Sequence, residues 1–226
     1  MSTAVIVGAG PGLGRAIARR FGAEGFDIAL IGRTGKTVDK VAAGLAEAGV
    51  RAEGFAADVT DRPALMSTFD AVKARFGEVD ILEYSPAPSD PAMNATAGAV
   101  DLTVEALRPQ LDLYLFGGVT AVQQVLPAMI ARGSGTILVS TGASSGPVIH
   151  PPFANIAAAS GALRNWVLNL NAALAPRGVY AAHVAIATWI GREGPASQPE
   201  AIAETYWDLY QTRQDAERLY TAGGGS

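Results

Sequence analysis

Short apolar runs at residues 3–8, 27–32, 51–57, 79–84, 135–140 and 179–186 alternate with longer stretches of helical period. The helical stretches fall at about 12–24, 36–48, 61–76, 103–132, 153–175 and 199–214. Runs that are apolar at nearly every position, rather than at every second one, predict strands buried on both faces. Parallel neighbours need a crossover, so strand–helix alternation predicts an α/β fold: one doubly wound parallel sheet with helices on both faces. Gly133-Ser134-Gly135 reads as a helix stop before the next strand. The 226 residues fit one domain over 1–222, and Gly223-Gly224-Gly225-Ser226 reads as a linker or tag remnant.

Composition narrows the function. The net charge of −4 and the scattered basic residues argue against a nucleic-acid partner. No uninterrupted apolar run approaches the roughly 20 residues of a membrane span. The chain enters a strand pattern at once, without a basic leader, so a cytoplasmic protein is expected. No cysteine is present, which excludes disulfides and thiolate chemistry. With His150 and His183 the only histidines, no metal site is expected.

The first strand runs into Gly8-Ala9-Gly10-Pro11-Gly12-Leu13-Gly14 and then a helix. Gly8 ends the strand, Gly12 lets backbone approach a pyrophosphate, and Gly14 lets the helix pack closely on the strand. The helix start then offers unpaired N–H groups to phosphate. This is a Rossmann-type dinucleotide cradle, and its position in the first strand–helix unit is what distinguishes it from an ordinary tight turn. At the end of the second strand stand Gly32, Arg33 and Thr34, where the cofactor ribose should lie. A carboxylate there would accept from a free 2′-hydroxyl, whereas an arginine suits a 2′-phosphate. NADP(H) is therefore favoured over NAD(H), with Arg15 as a possible second cation. Asp58-Val59 ends the third strand, where the carboxylate can accept from an adenine amino group or cap the next helix.

With these residues the chain resembles the short-chain dehydrogenase/reductase family along nearly its whole length. Gly8-x3-Gly12-x-Gly14, Arg33, Asp58-Val59, Leu126-Pro127-Ala128-Met129, Gly135–Ser140 and Asn165–Gly178 all match its pattern. The resemblance implies further cofactor contacts at Ser85, Pro86, Ser140 and Ile186, a small-molecule substrate, and a homodimer or homotetramer. It also implies an active site of Asn, Ser, Tyr and Lys. Here the Asn position falls on Tyr114, the Ser position on Gly142 or Ala143, the Tyr position on Ile156 and the Lys position on Ser160. No shift of register restores the couple, because Lys73 is the last lysine and no tyrosine lies between Tyr114 and Tyr180.

Reduction of a ketone needs a proton at oxygen, worth roughly 10²–10⁴-fold in rate. Candidate proton carriers are Tyr114, Tyr84 and His150, the last because an unperturbed imidazole titrates near about pH 6.5. Ser140, Thr141, Ser144 and Ser145 form a hydroxyl-rich strand end, with Ser144 nearest the family's serine position. His183 reads as a core residue, and Trp189, Tyr206, Trp207 and Tyr210 as either a lid or core. Three functions stay open: an NADP(H)-dependent oxidoreductase with an atypical site, a non-redox lyase or isomerase on the same fold, and a non-catalytic NADP(H) sensor.

Overall fold

The computed structural model describes residues 2–88 and 95–223, so Gly224–Ser226 of the suspected tail lies outside the described residues. Seven strands form one sheet in the order β3-β2-β1-β4-β5-β6-β7, every adjacent pair parallel. They are β1 (Thr3–Val7), β2 (Asp27–Gly32), β3 (Ala52–Ala56), β4 (Ile81–Tyr84), β5 (Gly135–Gly142), β6 (Val179–Ala187) and β7 (Glu217–Thr221). The helices are α1 (Leu13–Ala23), α2 (Gly35–Glu47), α3 (Arg62–Phe76), α4 (Val104–Gln110), α5 (Gly117–Arg132), α6 (Ala154–Leu174) and α7 (Pro199–Thr212).

Successive strand residues face opposite sides, and the two faces carry two apolar clusters. Val5, Val7, Leu82, Tyr84, Ile137 and Val139 face α3, α5 and α6. Ile6, Ile28, Leu30, Ile81, Leu138 and Val184 face α1, α2 and α7. On that second side Phe21 and Phe26 stack edge-on with Trp207 and Tyr210, at centroid distances of 5.2–6.5 Å within the cluster. Tyr206, Trp207 and Tyr210 are therefore core and not a lid; Trp189 alone stands outside, 60% exposed.

Two elements differ from the expectation. The sheet has a seventh strand, β7, pairing His183–Ala187 with Glu217–Thr221. The long helix over 103–132 is not uniform either. Between α4 and α5, residues Leu111–Phe116 form a wider π-helical turn. The combined stretch Val104–Arg132 is 29 residues long and apolar enough by composition to cross a membrane, but half of its most apolar window is buried. Ala121, Val122, Val125 and Met129 pack it onto the sheet, as in a core helix.

Candidate active site

The glycine turn is braced on one side and open on the other. Gly8 has φ +102°, a conformation that side-chain-bearing residues rarely adopt. Its N–H and that of Ala9 both donate to the Ile31 carbonyl, at 2.9 and 3.1 Å, which ties the turn to β2. A Cβ on Gly8 would sit 2.7 Å from backbone atoms of Ser85 and Pro86, and one on Gly14 would sit 2.7 Å from the Gly8 carbonyl oxygen. Around Gly12 there is open space. No side chain caps the start of α1; Arg15 N–H donates to the Gly10 carbonyl at 3.1 Å, and the N–H groups of Leu13 and Gly14 are left for an anion.

Beside the turn lies a cleft of about 410 Å³. It is lined by residues 8–11, 32–34 with Thr37, 57–59, 86–88 and Leu113. Of the sequence-predicted cofactor residues, Gly8, Gly10, Pro11, Arg33, Thr34, Asp58, Val59 and Pro86 thus converge on one wall system. Gly12, Leu13 and Gly14 flank it at the mouth of α1. Arg33 is exposed and has no ion pair among the described residues. Thr34 and Thr37 share a hydroxyl–hydroxyl bond of 2.8 Å at the start of α2, whose first turn no side chain caps. Thr37 was not foreseen; its place one helical turn from Thr34 is the signal that would have found it. Arg15, the second cation expected, donates to Pro11 O at 3.1 Å and pairs with Glu200 on α7 at 3.2 Å. Asp58 is not the helix cap. Asp61 caps α3 through Ala64 N–H at 3.0 Å, while Asp58 Oδ1 accepts from Thr60 N–H and Oγ1 at 2.9 and 2.7 Å.

The expected catalytic residues are not gathered in one place. Tyr114 is 8% exposed within the apolar cluster, and burial pushes its phenol up to about 12. Tyr84 is fully buried and donates to the Leu113 carbonyl at 2.5 Å, so neither phenol is placed as an acid for the cleft. Ser144 is half-buried in the 3-10 turn Ala143–Ser145 that follows β5. His150 is exposed on the loop before α6, with its ring 4.4 Å from that of Phe153, which in turn lies 6.3 Å from Trp189. Ile156 packs against the core from α6, and the buried Ser160 hydroxyl donates back to the Ile156 carbonyl at 2.6 Å.

Ser140 and Ser85, both expected as cofactor contacts, turn their side chains away from the cleft. The strand pleat turns Ser140 away from the cleft toward α7, where its hydroxyl lies 2.5 Å from Tyr206 Oη and 3.5 Å from Glu83 Oε1. Ser85 points its buried hydroxyl toward the same Glu83, and only its backbone meets the glycine turn. Ile186 sits half-buried near the end of β6, opposite Gly142. Two residues escaped the sequence reading, as did the partners of His183, which is the core residue expected. Glu83 is a fully buried carboxyl on β4, pushed up to about 8 by desolvation, with nearby Ser85 and Ser140 pulling weakly the other way. Asn155, at the start of α6, holds the segment after β4 by accepting from Ala97 N–H at 3.0 Å and donating to Ala95 O at 2.9 Å. His183 is buried between Thr141 on β5 and Glu217 on β7. A single amide, carboxyl or imidazole in an apolar stretch gives no sequence signal of this kind.

With the geometry in hand, three comparisons place the molecule among known proteins. The sequence matches the short chain dehydrogenase family over residues 2–189. It is 31% identical over 203 residues to the oxidoreductase asL5 of Sarocladium schorii, covering 87% of this chain and 76% of that protein. The matches to other curated relatives are shorter, and cover as little as 45% of one of them. Among solved structures, the alcohol dehydrogenase from Thermococcus sibiricus complexed with 5-hydroxy-NADP superposes with a TM-score of 0.83 at 23% identity, over 100% of this chain and 99% of that one. A 3-oxoacyl-[acyl-carrier protein] reductase from Brucella melitensis with bound NAD gives 0.84 at 20% identity, over 98% and 90%.

Proposed function

The chain belongs to the short-chain dehydrogenase family, and from that premise we propose that it is an NADP(H)-dependent oxidoreductase with an atypical active site. The observation that carries this reading is Arg33. It is a guanidinium without an ion pair among the described residues, on the wall of the cleft beside Thr34, Thr37 and the uncapped start of α2, with no carboxylate at residues 32–34. A 2′-phosphate placed there meets a bidentate donor, two hydroxyls and helix N–H groups. Gly10 and Pro11 would hold the pyrophosphate with Gly12 beside them, and Asp58 and Val59 would form the wall for the adenine.

The bound dinucleotide supplies hydride chemistry, and the protein binds, orients and manages the proton. The C-terminal ends of β4, β5 and β6, where ligands gather in open α/β sheets, form the reacting end. Ser144 and the exposed Gly142 backbone stand there, with the buried Thr141 hydroxyl directly behind them. Ile156 and Ser160 occupy the positions that the resemblance assigns to a tyrosine and a lysine, so proton transfer is assigned to other groups. The substrate is a small alcohol or carbonyl compound.

Cofactor fluorescence during titration with NADPH and then NADH tests this reading. Micromolar NADPH binding, at least about tenfold tighter than NADH, is expected from charge-assisted hydrogen bonds to a 2′-phosphate. Equal affinity for both would remove the role of Arg33. Binding of neither would move the search to non-redox chemistry.

A further inference from the structure

A chain of four side chains runs from the end of β5 to solvent. Thr141 Oγ1 lies 2.8 Å from His183 Nε2, and His183 Nδ1 lies 2.9 Å from Glu217 Oε1. Glu217 is gripped by Arg164 of α6, whose Nε and Nη2 donate to the two carboxylate oxygens at 2.5 and 2.6 Å. Thr141 and His183 are buried, whereas the Glu217 side chain is 23% exposed. Three strands and one helix contribute one residue each, so the arrangement depends on the complete sheet.

The charges fix the direction of the hydrogen bonds. Arg164 holds the Glu217 carboxyl below the usual carboxylate range, so Glu217 is an acceptor. His183 Nδ1–H must then donate to it, which leaves Nε2 as the acceptor for the Thr141 hydroxyl. Desolvation lowers the His183 imidazole from its ordinary 6.5, opposed by Glu217 and assisted by Arg164. Glu217 from β7 and Arg164 from α6 are the charged groups that face it, with Thr141 from β5 completing its surroundings. The resting state is thus a neutral imidazole oriented by a carboxylate and bonded to a hydroxyl, the arrangement by which a hydroxyl proton is taken up. Thr141 Oγ1 also lies 3.1 Å from the Gly142 carbonyl, a second acceptor toward the strand end. A hydroxyl with two acceptors can turn between them.

We propose that Thr141, His183 and Glu217 form a proton relay serving the reacting oxygen at the end of β5, poised for the oxidation of an alcohol; this rests on the nicotinamide-dependent reading above. As the alcohol O–H proton passes to Thr141 Oγ1, that oxygen's own proton passes to His183 Nε2. The carbon–hydrogen bond breaks with its electron pair, which leaves as hydride to an oxidised nicotinamide dinucleotide, and the C=O bond forms from the O–H electrons. Glu217 stabilises the imidazolium and, being partly exposed, connects it to solvent. Thr141, buried directly behind the exposed Gly142, is the member of the chain nearest the strand end; His183 and Glu217 act through it.

The two histidines make the test accessible by 15N NMR of the full chain, with His150→Gln assigning the signals. The Nδ1–H tautomer of His183 is expected in the free protein, titrating below the ordinary imidazole range. Glu217→Gln should move that titration lower still. NADP+ and NADPH should give different His183 titrations, because the nicotinamide charge differs at the end of the relay. With 1-phenylethanol as the probe alcohol, Thr141→Val should lower kcat about 100-fold with KM nearly unchanged, and Thr141→Ser should restore it. An Nε2–H tautomer, or identical His183 titrations with the two nucleotides, overturns the relay whether or not the probe turns over. Wild-type turnover by Thr141→Val does the same. Failure of the wild type to bind either nucleotide sinks the parent reading instead, a result the titration distinguishes.

Discussion

Glu83→Gln should flatten the pH dependence of folding stability near neutrality. The Glu83 carboxyl is fully buried on β4 between Ile6 of β1 and Leu138 of β5, and its Oε2 has no aligned hydrogen-bond partner. Desolvation raises it from 4.5 to about 8. Between those values the unfolded chain has released the proton while the native state still holds it. Stability is therefore fully present below pH 4.5, falls as the pH rises, and has lost this contribution above about 8. The slope is about 1.4 kcal/mol per pH unit, so two units inside that window cost about 3 kcal/mol. That is a large share of the roughly 5–15 kcal/mol by which domains are stable. Urea unfolding followed by tryptophan fluorescence, run for both proteins at about pH 5.5, 6.5 and 7.5, isolates the residue by difference. The variant's own amide has a donor to satisfy, so its stability at one pH is not the criterion; the relative slope is. If the difference between the two proteins does not change with pH, Glu83 is ionised in the fold and the reasoning fails.

Other outcomes follow from single contacts. Arg33→Ala should weaken NADPH about 10–100-fold and leave NADH within about twofold; an equal loss for both, by fluorescence titration, would remove the 2′-phosphate from its account. Gly8→Ala should cost roughly 2–5 kcal/mol, because it combines a positive φ with backbone atoms of Ser85 and Pro86 at 2.7 Å; an unchanged thermal midpoint would contradict the close packing of the turn. Asn155→Ala leaves Ala97 N–H and Ala95 O without their side-chain partner, at about 1–3 kcal/mol. It should speed limited proteolysis between residues 95 and 106, and equal cleavage rates would show that the clamp is dispensable.

Five of the six expected strands were legible because each is buried on both faces and so reads as an apolar run; β3, half-buried at the far edge of the sheet, is the exception. β7 was not, since Glu-Arg-Leu-Tyr-Thr lies half-buried at the sheet edge and carries charges there. Those charges suit an edge that must not recruit further strands. The cradle was legible because its glycines are required by close approaches that hold for any pyrophosphate turn. The catalytic half was not, because it depends on which face a residue takes. Ser140 and Thr141 are neighbours in sequence, yet the pleat sends one toward α7 and Glu83 and the other toward α6 and His183. Tyr114 looked free to act and is core; the π-helical turn that carries it leaves no mark in hydrophobic period. Thr37 was within reach of the sequence reading, one helical turn beyond Thr34.

The distance along the chain between His183 and its carboxylate partner has a consequence during synthesis. Glu217 follows His183 by 34 residues, which at about 5–20 residues per second is a delay of about 2–7 s. Until then β6 is an open edge, and the imidazole that will be sealed inside remains in contact with water. The strand that completes the sheet is thus also the one that ends this exposure, and a nascent chain that has not yet supplied residue 217 leaves the outer edge of β6 without its β7 neighbour.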